Sequence, residues 1–174
     1  IKGTDVWHSY ASDHIAILDH LKIEKCHLFG QCIGGPFIFS MLKAQPQRIA
    51  AAIIAQSIGR VGPLKPEKAA RFVAWANDLK DHPEATEDVL DKFYHNLYGP
   101  GFVYSVDREF VKNCKTPCLV LAGNDEAHPR PISDEIAKLL PNVDGYITDW
   151  KDGPALAEAK TRAKEFLKKH TPAR

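Results

Sequence analysis

The side chain with the most chemical promise in this chain is Cys32, in the run Gly30-Gln31-Cys32-Ile33-Gly34. A thiol held where a strand turns sharply into a helix is pushed clear of the sheet. The helix N-terminus favours its thiolate, and the next backbone N–H, that of Ile33, can hold an oxyanion. Glycines on both sides suit such a turn, because the backbone there passes close to its neighbours. The competing reading of Cys32 is a small apolar side chain packed at the turn. A nucleophile needs a proton acceptor and a group to orient it. Asp125-Glu126-Ala127-His128 carries both types three residues apart, so Asp125 and His128 are the candidates. Their plain alternatives are an Asp that turns the chain after a strand and a surface-loop His. His8 and His14 lie near a predicted first helix and His170 near the tail, and each is a weaker imidazole candidate.

Aromatic side chains gather between 58 and 113: Phe72, Trp75, Phe93, Tyr94, Tyr98, Phe102 and Tyr104. At helical spacing such residues serve a core, a ligand pocket or both. Trp75, Phe93 and Tyr98, with Gln31 beside the thiol, are the candidate pocket residues. Cys114-x-x-x-Cys118 has no second Cys/His pair near it to complete a zinc site, so no metal is expected. Gly34-Gly35-Pro36 lacks the spacing and the Lys-Ser/Thr of a phosphate loop, so no nucleotide or other cofactor is expected.

Positioning these groups requires a frame, and the hydrophobic pattern supplies one. Ala11, Ile15, Leu18 and Leu21 recur at spacings of three and four, which predicts a helix over 10–21. Residues 26–30 form a short apolar run ending in glycine, the pattern of a buried parallel strand. A helical pattern follows from 33 until Gln45-Pro46 stops it, and 48–56 is a second apolar run. The unit reads as β-α-β with a right-handed crossover. Residues 58–113 are more polar, with helices expected over 67–79 and 86–97, the turn Tyr98-Gly99-Pro100-Gly101 and a short third helix. Beyond them come a strand over 118–123, a helix over 132–140, a strand over 145–148 and a closing amphipathic helix over 155–169. The expected fold class is α/β, a mostly parallel sheet flanked by helices. The expected organisation is a single domain over 1–174 with an inserted helical segment at 58–113.

Several stretches together resemble the α/β-hydrolase superfamily. They are Leu28-Phe29-Gly30-Gln31-Cys32-Ile33-Gly34-Gly35, then Gln45-Pro46-Gln47-Arg48-Ile49-Ala50-Ala51, then Lys115-Thr116-Pro117-Cys118-Leu119-Val120-Leu121-Ala122-Gly123-Asn124-Asp125, and Phe166-Leu167 in the last helix. The resemblance implies that Cys32 stands at the nucleophile elbow, where most members carry Ser and some, such as dienelactone hydrolases, carry Cys. It implies that Asp125 is the triad acid and that 58–113 is the helical cap. The sequence departs from the pattern twice. It has no room for the strands that precede helix one and carry the second oxyanion donor. Nor does Asp149-Trp150-Lys151-Asp152-Gly153-Pro154, after the last strand, contain the usual His.

Bulk composition fits that frame. The 174 residues are a typical single-domain length, enough to bury about two thirds of the unfolded surface. A net charge of +1, from 23 Lys plus Arg against 22 Asp plus Glu, supplies no electrostatic footprint for nucleic acid or an acidic membrane. No apolar run is long enough to span a bilayer, and Ile1-Lys2-Gly3-Thr4-Asp5 forms no signal segment, so a cytoplasmic location is expected. Four cysteines are too sparse for a disulfide scaffold, and reduced thiols are expected. The expected activity is hydrolysis or transfer of a small acyl ester, thioester or lactone by Cys32, with His128 as base. One alternative is a non-catalytic binding domain of the same fold. Another is a subunit whose sheet is completed by a second copy or a partner chain, because an unpaired sheet edge invites pairing.

Overall fold

The computed structural model describes residues 5–64, 67–99 and 101–172. The expectations for Ile1 to Thr4 and for Pro100 lie outside the described residues. Among the described residues four strands run in chain order across one parallel sheet: β1 (Cys26–Gln31), β2 (Ile49–Ala55), β3 (Cys118–Leu121) and β4 (Val143–Ile147). The helices are α1 (Val6–His20), α2 (Gly34–Ala44), α3 (Ala70–Asp78), α4 (Glu87–Tyr98), α5 (Arg108–Asn113), α6 (Arg130–Leu139) and α7 (Gly153–Lys169).

Alternation along the central strands sends side chains into two cores. Ala52, Ile54, Cys118 and Val120 face the layer that holds Ile15 of α1, Phe39 and Leu42 of α2, and Ile132 and Ile136 of α6. Ala51, Ile53, Ala55, Leu119 and Leu121 face Ala159 and Phe166 of α7. Strands buried on both faces explain the unbroken apolar runs, and each fully buried Ile or Leu contributes about 1.5–3 kcal/mol. The outer strand β1 is covered less well. Phe29 is 64% exposed on the α7 side of the sheet, because α7 packs on β2 and β3 and leaves β1 open.

Helix α1 begins earlier than its apolar spacing predicts. The Asp5 carboxylate accepts from Trp7 N at 3.1 Å and His8 N at 3.2 Å, capping a turn whose Val6 and Trp7 are both buried. Leu21, predicted on the buried face, is 58% exposed, because α1 has ended at His20 and the chain is already turning. Trp7 Nε1 also donates to Leu97 O at 3.1 Å, which ties α4 to α1. Helices α3 and α4 meet through aromatic contacts, with Phe72 and Tyr94 ring centroids 4.7 Å apart. Among the described residues no helix is long and apolar enough to cross a membrane.

One close approach tests how β1, α2 and the chain after β2 are locked together. A Cβ on Gly35 would run into the Ser57 side chain, 2.5 Å from its Cβ. Gly35→Ala should therefore destabilise the fold by about 1–3 kcal/mol. Adding Ser57→Gly should recover most of that loss. Urea unfolding of the two single variants and the double variant measures it, and strictly additive losses would show that Ser57 is not the obstacle.

Candidate functional site

The turn from β1 into α2 is built around Cys32, whose backbone is left-handed at φ 58°. A residue with a side chain adopts this conformation at a cost of about 1–3 kcal/mol and keeps it only where its surroundings enforce it. Here they do. Cys32 N donates to Ala55 O at 3.1 Å, while Cys32 O accepts from Gly35 N and Ile58 N, each at 3.2 Å. The strained peptide is pinned to β2, to α2 and to the chain leaving β2. Gly30 is required because a Cβ there would strike the Gly34 carbonyl. The expectation that crowding demands glycine at 34 is corrected: a Cβ on Gly34 would meet nothing within 4 Å, since its own side faces away from the sheet. Ile33, in helical conformation, opens α2. Its N–H lies in the first turn, where backbone donors have no intrahelical acceptor.

The second half of the candidate site follows β3. The strand's last residue pairs with Ala55, which pairs with Gln31, so the β1 and β3 ends lie on one edge about 10 Å apart, two strand spacings. Beyond β3 the chain folds back tightly. A Cβ on Gly123 would strike the His128 carbonyl oxygen, and Gly123 N donates to Ser133 Oγ at 3.0 Å. This brings the Asp125 carboxylate under His128. Oδ1 accepts from His128 N at 2.9 Å and lies 2.7 Å from His128 Nδ1. With Nδ1 donating, Nε2 is left as the basic nitrogen. The His128 side chain is 14% exposed, and its Nε2 is sealed from solvent without a hydrogen-bond partner among the described residues, Cys32 Sγ included.

Lys151 completes the cluster and was not singled out in the sequence. Its Nζ lies 2.9 Å from Asp125 Oδ2. The loop that carries it is anchored by Trp150 Nε1 donating to Ala122 O at 2.8 Å, beside the same strand end. The position after β4 at which the sequence lacks a His is thus filled by a cation on the acid. The Lys151 ammonium, and then the two His128 hydrogen bonds, hold the Asp125 carboxyl down at about 2.

Of the candidate pocket residues, Trp75, Phe93 and Tyr98 line one cavity of about 330 Å³ with Arg71, Phe72 and Leu97. Gln31 is not among its lining residues. It is exposed at the end of β1, next to Cys32. Two of the other candidate imidazoles are occupied elsewhere: His14 Nδ1 is 2.6 Å from Tyr10 O, and His170 Nε2 is 2.7 Å from Asp144 Oδ2. All four cysteines are free thiols, with Cys26 and Cys32 half-buried and Cys114 and Cys118 buried. Among the described residues no three His, Cys, Asp or Glu side chains gather as metal ligands would.

No protein-family model matches the sequence, and no curated protein sequence matches it significantly. Solved structures do match its fold. An α/β-hydrolase enzyme from the sediment metagenome of the Mar Chica lagoon in Morocco superposes with a TM-score of 0.65 at 19% identity, over 97% of this chain and 73% of that one. A thermophilic esterase from Thermogutta terrifontis gives 0.64 at 20% identity, over 98% and 75%. A meta-cleavage product hydrolase from Pseudomonas fluorescens gives 0.64 at 16% identity, over 95% and 72%. The chain has the α/β-hydrolase fold and spans about three quarters of the length of these neighbours.

The Asp125 cluster has a definite acid response. Its folded carboxyl titrates below the ordinary value near ~3.9, so the stability it contributes is complete above about pH 4 and is lost as pH falls through about 2. Lys151→Met removes the larger cause and should raise the Asp125 midpoint part of the way to the ordinary value. Carboxyl-carbon NMR on labelled protein reads this directly, and a midpoint unchanged at about 2 would deny the ion pair its role.

Proposed function

We propose that this chain hydrolyses or transfers a small activated acyl group, as an ester, thioester or lactone, through Cys32. The observation that carries the reading is the left-handed Cys32 peptide, held between a parallel strand and a helix in the α/β-hydrolase fold. Strain stored at a residue with a nucleophilic side chain is better explained by a use for that side chain than by packing.

In the proposed reaction His128 Nε2 takes the Cys32 Sγ proton and the thiolate adds to the substrate carbonyl carbon. The carbonyl oxygen becomes an oxyanion facing the Ile33 N–H. The oxyanion collapses, the bond to the leaving oxygen or sulfur breaks, and His128 returns the proton to that leaving group. The resulting thioester is attacked by water, whose proton passes to His128. The C–S bond then breaks, freeing the acid and restoring the thiol. Asp125 orients the imidazole through Nδ1. For this cycle His128 Nε2 must close on Cys32, a contact that often tightens only with substrate bound. On the same reading α3 and α4 act as a cap, Trp75, Phe93 and Tyr98 border the acyl pocket, and Gln31 lies beside the thiol. Cysteine suits activated acyl groups, because a thiolate is a strong nucleophile and also a good leaving group.

A second reading, a non-catalytic binding domain, is favoured by one observation: Lys151, from the loop after the last strand, occupies the Asp125 carboxylate. Intact-mass spectrometry after exposure to p-nitrophenyl acetate separates the two. The proposed enzyme gains one acetyl group, which maps to Cys32 and disappears in Cys32→Ala. In His128→Ala its formation slows by about 10²–10⁴-fold. An unmodified protein, or an adduct that survives Cys32→Ala, supports the binding domain instead.

A further inference from the structure

Cys32 is not the only strained residue at its end of the sheet. Gln56, the residue after β2, is also left-handed, at φ 38°, and its N–H donates to Leu121 O at 2.7 Å. Its side chain carries a second cost. Gln56 is 7% exposed, and its Oε1 is sealed from solvent with no hydrogen-bond partner among the described residues. A buried acceptor without a donor is unfavourable, and an apolar residue of the same size would avoid the penalty. Packing therefore explains neither the backbone conformation nor the amide.

The position of Gln56 suggests what it is for. β2 lies between β1 and β3, so the residue at its end stands about one strand spacing, ~4.8 Å, from each. On one side Ala55 O accepts from Cys32 N at 3.1 Å, and Ile58 N donates back to Cys32 O at 3.2 Å. On the other, Leu121, which Gln56 bonds, precedes Gly123 by two residues, and a Cβ on Gly123 would lie 2.8 Å from that of His128. The end of β2 thus stands between the thiol turn and the loop of the imidazole. With Nδ1 donating to Asp125, His128 Nε2 is a second sealed acceptor without a partner among the described residues.

Two acceptors flanking one reacting centre match a molecule with two donor hydrogens. Water has two, whereas a thiol has one. We propose that Gln56 is a further catalytic residue, which holds the water that hydrolyses the Cys32 thioester. One hydrogen of that water passes to His128 Nε2 as its oxygen adds to the carbonyl carbon. The other is held by Gln56 Oε1 and stays on the acid product. The oxyanion then collapses, the C–S bond breaks, and His128 returns its proton to Sγ. This role rests on the acyl-transfer reading and decides between its two outcomes, since Gln56 favours hydrolysis over transfer to another acceptor.

Acetyl-Cys32 made with p-nitrophenyl acetate, freed of excess reagent and followed by intact mass, tests the role in buffer alone and with mercaptoethanol added. In Gln56→Met, close in volume but without the carbonyl, hydrolysis should slow about tenfold, the loss expected of one hydrogen bond made in the transition state. Transfer to the thiol, whose single proton goes to His128, should change by less than about threefold. Gln56→Leu should give the same split through a second apolar side chain, and Gln56→Glu, which keeps an acceptor oxygen, should restore the ratio of hydrolysis to transfer to within about threefold of the native one. Hydrolysis that is unchanged without the amide, or hydrolysis and transfer that slow together, would overturn the proposal. An adduct whose hydrolysis ignores Gln56 removes this role and keeps acyl transfer. No adduct on Cys32 of the native protein removes both.

Discussion

Much of this structure depends on one uncomfortable peptide. Cys32 cannot relax from its left-handed conformation because its N–H and carbonyl are both committed, the first to Ala55 and the second to Gly35 and Ile58. Each such bond is worth about 0.5–1.5 kcal/mol net, so three together offset a strain of about 1–3 kcal/mol. The same bonds fix what lies around the thiol. Ala55 sets the height of the turn on the sheet, Gly35 starts α2, and Ile58 directs the outgoing chain toward Arg60 and the helices beyond. The contact surfaces are equally unforgiving: the Gly30 Cα faces the Gly34 carbonyl, and that of Gly35 faces Ser57.

The opposite wall is electrostatic rather than steric. Asp125 shares its two oxygens between two loops, Oδ1 toward His128 in its own and Oδ2 toward Lys151, 26 residues on and after β4. The ammonium and the His128 hydrogen bonds hold the carboxyl down at about 2, so the imidazole meets a charged acceptor further into the acid range than beside an ordinary Asp. Both groups remain partly exposed, so the pair adds little to overall stability. Its effect is on orientation.

The sheet and most helices were legible because parallel strands buried on both faces leave continuous apolar runs, as in β2 and β3, and because glycine and proline mark the ends of β1 and α2. The Asp125–His128 pair was legible for a local reason: three residues and a tight loop leave the side chains few other arrangements. What escaped is non-local. Nothing in the sequence around Lys151 points to Asp125, and only the β3–β4 pairing brings it there. Gly34 shows the converse error. It was read as sterically required, yet the crowded atom is its carbonyl and the glycine that needs the space is Gly30.

On the acyl-transfer reading, Lys151 stands after β4 where the resemblance implies a His, and this bears on why a thiol stands at the turn. A serine hydroxyl needs a base in direct contact, because almost none of it is ionised at neutral pH, whereas a cysteine is intrinsically nucleophilic and already a few per cent thiolate there. On this reading the base is carried on the loop of the acid, two strands from the turn, and its Nε2 has no hydrogen bond to Cys32 Sγ. On the acyl-transfer reading Cys32 is the nucleophile that this arrangement can still serve, since it asks His128 for proton movement during the reaction rather than for constant activation. On that reading cysteine at the turn and lysine after β4 form a consistent pair, since the more reactive side chain at 32 can work with a base carried on the loop of the acid.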